Sequence, residues 1–227
     1  MIQIIKKDDV YTSDHGWLQS RFLFSFAEYF DPANLSFGQI RVFNDDTIQG
    51  FSGFPPHSHG EMEIVTIMHE GALTHEDSMG NKREIKKGYV QRMSAGTGVT
   101  HSEMNRGSET VSLYQIWFLP EKKGVMPSYE EKSFKEAKGK TLLVSKDGEE
   151  GGLSINSPIR VEAYSLEKGE KLDISLQGDD YALLYVKQGE TALGGALLTE
   201  KDQARVSGES FTLFAGEGSD FLLIFSK

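Results

Sequence analysis

Gly88-Tyr89-Val90-Gln91-Arg92-Met93-Ser94-Ala95-Gly96 and Gly208-Glu209-Ser210-Phe211-Thr212-Leu213-Phe214-Ala215-Gly216 are two segments with the same step between bounding glycines, each an apolar stretch closed by Ala-Gly. A second pair lies upstream of them: Ile67-Met68-His69-Glu70-Gly71 matches Tyr185-Val186-Lys187-Gln188-Gly189. Short alternating stretches between glycines are the pattern of half-buried strands, and their recurrence in both halves predicts a duplicated β-barrel.

The surrounding sequence keeps this texture. Arg21-Phe22-Leu23-Phe24-Ser25-Phe26 puts three phenylalanines on one face of a strand, and residues 39–44, 61–68, 72–75, 90–94 and 111–119 read as further strands. Asp77-Ser78-Met79-Gly80-Asn81 reads as a hairpin turn, because its Gly and Asn tolerate positive φ. From Pro120 to Lys140 the chain becomes polar, with Glu121-Lys122-Lys123 and Ser128-Tyr129-Glu130-Glu131-Lys132 partly helix-compatible. Strands resume at 141–144 and continue at 160–166, 171–176, 181–186, 209–214 and 220–225. The expectation is an all-β chain of two tandem barrels, residues 1–125 and 141–227, joined by a linker at 126–140.

Composition narrows the chemistry. The 227 residues carry 24 Lys+Arg against 34 Asp+Glu, a formal charge of −10, so an acidic surface disfavours direct contact with nucleic acid. The most basic run, Lys82, Arg83, Lys86 and Lys87, is interrupted by Glu84 and Ile85. No stretch of ~18 apolar residues and no apolar leader follow Met1, which predicts a cytoplasmic, non-membrane protein. Cysteine is absent, so a disulfide framework, a thiolate metal site and a cysteine nucleophile are excluded. Any metal chemistry must use imidazole and carboxylate.

All six histidines, at 15, 57, 59, 69, 75 and 101, lie in the first 101 residues. His57-Ser58-His59 and His101-Ser102-Glu103 are both i, i+2 pairs. On a strand such a pair faces one side, about 6–7 Å apart along the chain, and two such strands across a barrel supply three imidazoles and one carboxylate. A lone His-x-His is commonly a surface pair; the second pair, preceded by the Gly96-Thr97-Gly98 turn, points instead to a metal site. The set suits Fe(II), Mn, Co, Ni, Cu or Zn with positions left for water, substrate or oxygen. His69, beside the Glu70-Gly71 turn, and His75, in an exposed-looking hairpin, read as solvated or structural, and His15 as an N-terminal hydrogen-bonder.

These residues also carry a resemblance. Pro56-His57-Ser58-His59 with Glu63, and Gly98-Val99-Thr100-His101-Ser102-Glu103-Met104-Asn105, resemble the two cupin motifs. Asp14-His15-Gly16-Trp17-Leu18, Tyr29-Phe30-Asp31-Pro32, Arg41-Val42-Phe43-Asn44-Asp45-Asp46, Met93-Ser94-Ala95-Gly96-Thr97-Gly98 and Leu113-Tyr114-Gln115-Ile116-Trp117 resemble the pirin family, in its bacterial quercetin 2,3-dioxygenase-like members. The likeness spans nearly all of the first 120 residues.

The resemblance implies a bicupin of two tandem jelly-roll barrels. Its N-terminal barrel would hold one divalent transition metal, iron first among the alternatives, through His57, His59, His101 and Glu103. Ser58 stands where the family usually has Pro, on the side facing away from the metal. General cupins take the carboxylate from the position of Glu63; the pirin-like pattern takes it from Glu103 and leaves Glu63 to orient a histidine. The implied activity is oxygenative cleavage of a flavonol such as quercetin with O2 and release of carbon monoxide, with Glu103 also as general base. Phe22, Phe24, Phe26, Met62, Met93 and Met104 are candidates to line an apolar pocket or simply to fill the core. Two other readings stand beside it: a metal-binding regulatory or redox-sensing protein with a protein partner, and a cupin enzyme acting on another small metabolite. Laid on the second half, the repeat puts His57 and His59 on Ser175 and Gln177, and His101 and Glu103 on Phe221 and Leu223, which predicts a C-terminal barrel without metal.

Overall fold

The computed structural model describes residues 1–135 and 137–227 and divides into two compact units. Among the described residues there is no α-helix, only two short 3-10 turns, and no helix is long and apolar enough to cross a membrane.

The first unit comprises residues 11–135 with 153–157. Its larger sheet has seven antiparallel strands in the order Ser128–Ser133, Tyr89–Ser94, Glu63–Glu70, Val111–Phe118, Ile40–Ile48, Leu18–Phe22 and Tyr11–Asp14. A four-stranded sheet, Gly53–His59, Val99–Met104, Ala72–Asp77 and Lys82–Lys86, completes it. Leu18, Ile48, Met68, Leu73, Ile85, Val111 and Leu113 form one apolar cluster within this unit. The basic run is an outer strand of the smaller sheet, where Lys82 and Lys86 pair with Glu76 and Glu84; charge on an exposed edge discourages further strand pairing.

The second unit comprises residues 1–10, 137–152 and 158–227. Strand order runs Ile2–Ile5, Gln203–Ser207, Tyr181–Leu193, Ser219–Ser226, Ile159–Leu166 and Gly139–Ser145. Phe211–Phe214 pairs with Lys171–Ile174 and with the far end of Tyr181–Leu193. Leu184, Val186, Leu198, Ala204, Leu213, Phe221 and Leu223 belong to its continuous apolar core.

The boundaries differ from those drawn from sequence. Ile2–Ile5 pairs antiparallel with Gln203–Ser207, so the first ten residues group with the second unit, and residues 153–157 with the first. Within the expected linker 126–140, Glu136 lies outside the described residues. Ser128–Ser133 is no loop: it pairs along its length with Tyr89–Ser94, its polar residues suiting a sheet edge while Tyr129 and Glu131 turn inward. The expected strand through Phe26 stops at Phe22, because the chain reverses at Phe26–Tyr29 with Ala27 at φ 47°.

The repeat is present, and the ladders correct its register. Glu63–Glu70 lies between Tyr89–Ser94 and Val111–Phe118; Tyr181–Leu193 lies likewise between Gln203–Ser207 and Ser219–Ser226. The counterpart of Tyr89–Ser94 is therefore Gln203–Ser207, one strand earlier than the glycine spacing suggests. Phe221 and Leu223 correspond to Leu113 and Gln115, not to His101 and Glu103. The counterparts of the two histidine-bearing strands are Lys171–Ile174 and Phe211–Phe214, and Ser175 and Gln177 lie past the end of the former.

Candidate metal centre

Val99–Met104 alternates between buried and more exposed positions, with His101 and Glu103 both only 2% exposed. It is flanked by Gly53–His59, where His101 faces His57, and by Ala72–Asp77, where Glu103 faces His75. A bulge between His101 and Glu103 shifts the first ladder so that Glu103 faces Phe54. Gly53 makes that shift feasible: at φ 155° its backbone lies so near that a Cβ would sit 2.2 Å from the Glu103 carbonyl oxygen. Ser58 and Thr100 hydrogen-bond on the exposed side of the pair, 2.7 Å apart.

Three imidazoles converge. Ring centroids are 4.4 Å apart for His57 and His101, 4.8 Å for His57 and His59, and 5.0 Å for His59 and His101. Their donor atoms lie within 4.8 Å of one another. His57 Nδ1–H donates to the Pro55 carbonyl at 2.8 Å, which leaves Nε2 with a lone pair. Burial, then the neighbouring His101 and His57, lowers the His59 pKa to about 4 against a smaller opposing effect of Glu103. Burial, then His57 and His75, lowers that of His101 to about 3. Both are neutral at pH 7, as metal ligation requires.

Glu103 Oε2 accepts a hydrogen bond from Gln115 Nε2 at 2.9 Å, while Oε1 is buried and unpartnered. Gln115 Oε1 accepts from Thr66 Oγ1 at 3.1 Å, and Thr66 Oγ1 accepts weakly from Gln91 Nε2 at 3.5 Å. Tyr129 OH stands 3.3 Å from Gln91 Oε1 and 2.5 Å from Glu131 Oε2. Burial and the Glu131 carboxylate push the Tyr129 phenol pKa up, so it stays a donor. A hydrogen-bonded row thus runs through the interior from Gln91 by way of Thr66 and Gln115 to Glu103, with the Tyr129 hydroxyl beside its outer end.

The four expected ligands, together with His75, form two triads that share His101: His57, His59 and His101, and His75, His101 and Glu103. His75, read from sequence as solvated or structural, is fully buried. The hairpin curls its strand against Val99–Met104, and the ring stacks on Tyr129 at 4.7 Å. Its Nε2–H donates to Asp77 Oδ2 at 3.0 Å. Burial raises the Asp77 pKa, but hydrogen bonds from His75 and Asn81 outweigh it and hold the carboxyl below its ordinary value.

Glu63 is buried and bonded to Ser94 Oγ at 2.6 Å and to the Asn156 backbone N–H at 3.3 Å. Among the described residues its hydrogen bonds thus go to Ser94 and Asn156 and none to a histidine, contrary to the role expected for it; its strand partner is Ser94. His15 hydrogen-bonds Ser13 Oγ at 3.0 Å, and His69 packs edge-on against Tyr114 at 3.8 Å.

Of the apolar candidates, Phe22, Phe24 and Met93 are core, and Met62 packs against the cluster containing Met93. Phe26 meets Trp117 edge-on at 5.3 Å, and Trp117 meets His59 at 4.8 Å. Residues that sequence reasoning missed are Gln115, Thr66, Gln91, Asp46 and, in its true setting, His75. Asp46 is buried against Ser20 Oγ at 2.5 Å, and burial, with Asp45 and Glu103 adding repulsion, pushes its pKa up to about 7. The available signal was a polar residue interrupting an apolar strand, as Gln115 does in Val-Ser-Leu-Tyr-Gln-Ile-Trp-Phe.

The residues present fit a divalent transition ion: three imidazoles with their donor atoms close together, and buried atoms on His101 and Glu103 without hydrogen-bond partners.

The family model described as pirin matches residues 5–118, and that of the quercetinase C-terminal cupin domain matches 142–225. An Escherichia coli K12 protein named quercetin 2,3-dioxygenase is 37% identical, over 98% of this chain and 97% of that one. A pirin-like protein of Caulobacter vibrioides is 38% identical over 93% of this chain and 94% of its own. The crystal structure of the Escherichia coli bacterial pirin YhhW in complex with nickel(II) matches with a TM-score of 0.96 and 36% identity, covering 100% of this chain and 99% of that one.

Proposed function

Because this chain belongs to the pirin family, we propose that it is a metal-dependent dioxygenase that opens the central ring of a flavonol such as quercetin with O2 and releases carbon monoxide. One observation carries the reading: three imidazoles converge beside a buried carboxylate with one oxygen uncommitted. The relative named quercetin 2,3-dioxygenase supports the reaction class and substrate.

His57 through Nε2, His59, His101 and Glu103 would hold the ion, which when bound supplies a Lewis acid that acidifies a substrate hydroxyl. Glu103, one of whose oxygens is uncommitted while Gln115 engages Oε2, is the group to receive that proton. Phe26 and Trp117 bring aromatic surface toward His59, suited to a planar aromatic substrate. The resemblance points to iron and the similar Escherichia coli pirin YhhW is seen with nickel(II), so these two ions head the series to be tested.

The test is oxygen uptake and carbon monoxide release with quercetin after reconstitution with Fe, Ni, Mn, Co, Cu or Zn. Turnover with at least one ion, lost in His101→Ala, is expected; no oxygen uptake by fully loaded protein with any of the six overturns the assignment.

A further inference from the structure

A buried imidazole that gives one nitrogen to an ion keeps an N–H on the other, and that N–H needs an acceptor. His57 has one in the Pro55 carbonyl. His101 has none: both ring nitrogens are buried and without hydrogen-bond partners.

The complementary group lies on the adjoining strand. In the ladder between Val99–Met104 and Ala72–Asp77, Asp77 faces His101 and His75 faces Glu103. His75 Nε2–H is committed to Asp77 Oδ2, which fixes the tautomer and leaves a lone pair on Nδ1. That Nδ1 is itself buried and unpartnered. The rings of His75 and His101 are 5.3 Å apart, tilted by 52°, and donor atoms of His75, His101 and Glu103 lie within 4.8 Å of one another.

The pair is firmly seated. Asp77 Oδ1 accepts the backbone N–H groups of Met79 at 2.9 Å and Asn81 at 3.0 Å, and Oδ2 accepts Asn81 Nδ2 at 2.8 Å. Tyr129 stacks on the His75 ring, with centroids 4.7 Å apart.

We propose that His75, held by Asp77, is a positioning residue for the metal centre, its Nδ1 accepting the N–H of the His101 nitrogen that does not hold the ion. The relay Asp77–His75–His101 fixes the His101 ring and raises its basicity toward the metal. It rests on the reading of His101 as a ligand, and the hairpin turn becomes part of the site.

Cobalt(II) titration of the purified full-length protein tests this, read by affinity against a competing chelator and by the visible absorption bands of the saturated protein. His75→Phe keeps a ring against Tyr129 and removes the acceptor; affinity is expected to fall about 10–100-fold, with altered bands, and His75→Asn to recover part of it. Wild-type affinity and bands in His75→Phe overturn the proposal. Should that variant not fold, Asp77→Asn decides, with a smaller weakening expected and unchanged affinity and bands contradicting it. His101→Ala separates the two levels: if it binds cobalt as wild type does, the ligand reading fails, whereas loss in His101→Ala with no change in His75→Phe defeats the relay alone.

Discussion

In the first unit the row of residues facing one another across the sheet reads Asn44, Gln115, Thr66, Gln91; the corresponding ladder positions of the second unit read Glu162, Leu223, Leu184, Ala204. Three polar side chains that lead hydrogen bonds to Glu103 are replaced by three that fill an apolar core. On the facing sheet, His57, His59, His101 and Glu103 give way to strands whose residues are Lys-Leu-Asp-Ile and Phe-Thr-Leu-Phe. The duplicated topology survives because alternation and glycine turns specify it, not the identity of the inward residues. A buried polar group that loses its partner costs about 1–3 kcal/mol, so a hydrogen-bonded row of them is retained where it serves a site.

The largest effect should come from breaking the first unit's ligand set. His101→Ala is expected to lower nickel or cobalt affinity by more than ~100-fold in an equilibrium titration, since a lost ligand outweighs a lost supporting contact. Asp173→Ala and Thr212→Ala, on the corresponding strands, should leave affinity within about twofold. Next in size, Phe221→Ala opens a cavity in the second core and should cost ~3–5 kcal/mol in urea unfolding while metal affinity of the folded protein holds.

Importing the second unit's residue sharpens the contrast. Gln115→Leu removes the donor to Glu103 Oε2 and should cost ~1–3 kcal/mol, together with weaker metal binding in the same titration.

Acid should expose the contrast as well. His59 at about 4 and His101 at about 3 lie below the ordinary histidine value of 6.5, so between those values the unfolded chain binds protons that the folded metal-free chain does not. Their contribution is complete above about pH 6.5 and is lost as pH falls through 4 toward 3. Asp46, raised to about 7, acts oppositely, losing its contribution as pH climbs from 3.8 through 7. The urea midpoint of metal-free wild type should therefore fall more steeply than that of His101→Ala between pH 6.5 and 4. The smallest effect is at Ser58→Ala, on the outer side, within about ±0.5 kcal/mol by the same unfolding measurement.

Strand alternation, glycine spacing and the two i, i+2 pairs made the all-β duplication and the convergence of His57, His59 and His101 legible before any coordinates. Register was not. Gly208–Gly216 resembles Gly88–Gly96 because any glycine-bounded strand does, and only ladder partners reveal the one-strand slip. Ser128–Ser133 hid because a polar edge strand lacks an apolar face on both sides. His75 hid because local hairpin chemistry says nothing of the strand packed against it, and Ile2–Ile5 because its partner lies about two hundred residues away.

The most direct test is an anomalous difference map from crystals of the nickel- or iron-loaded protein, recorded at the metal edge. One peak per chain, bounded by His57, His59, His101 and Glu103, is the predicted result; a peak in the second unit, or one that leaves out His101, would contradict the account.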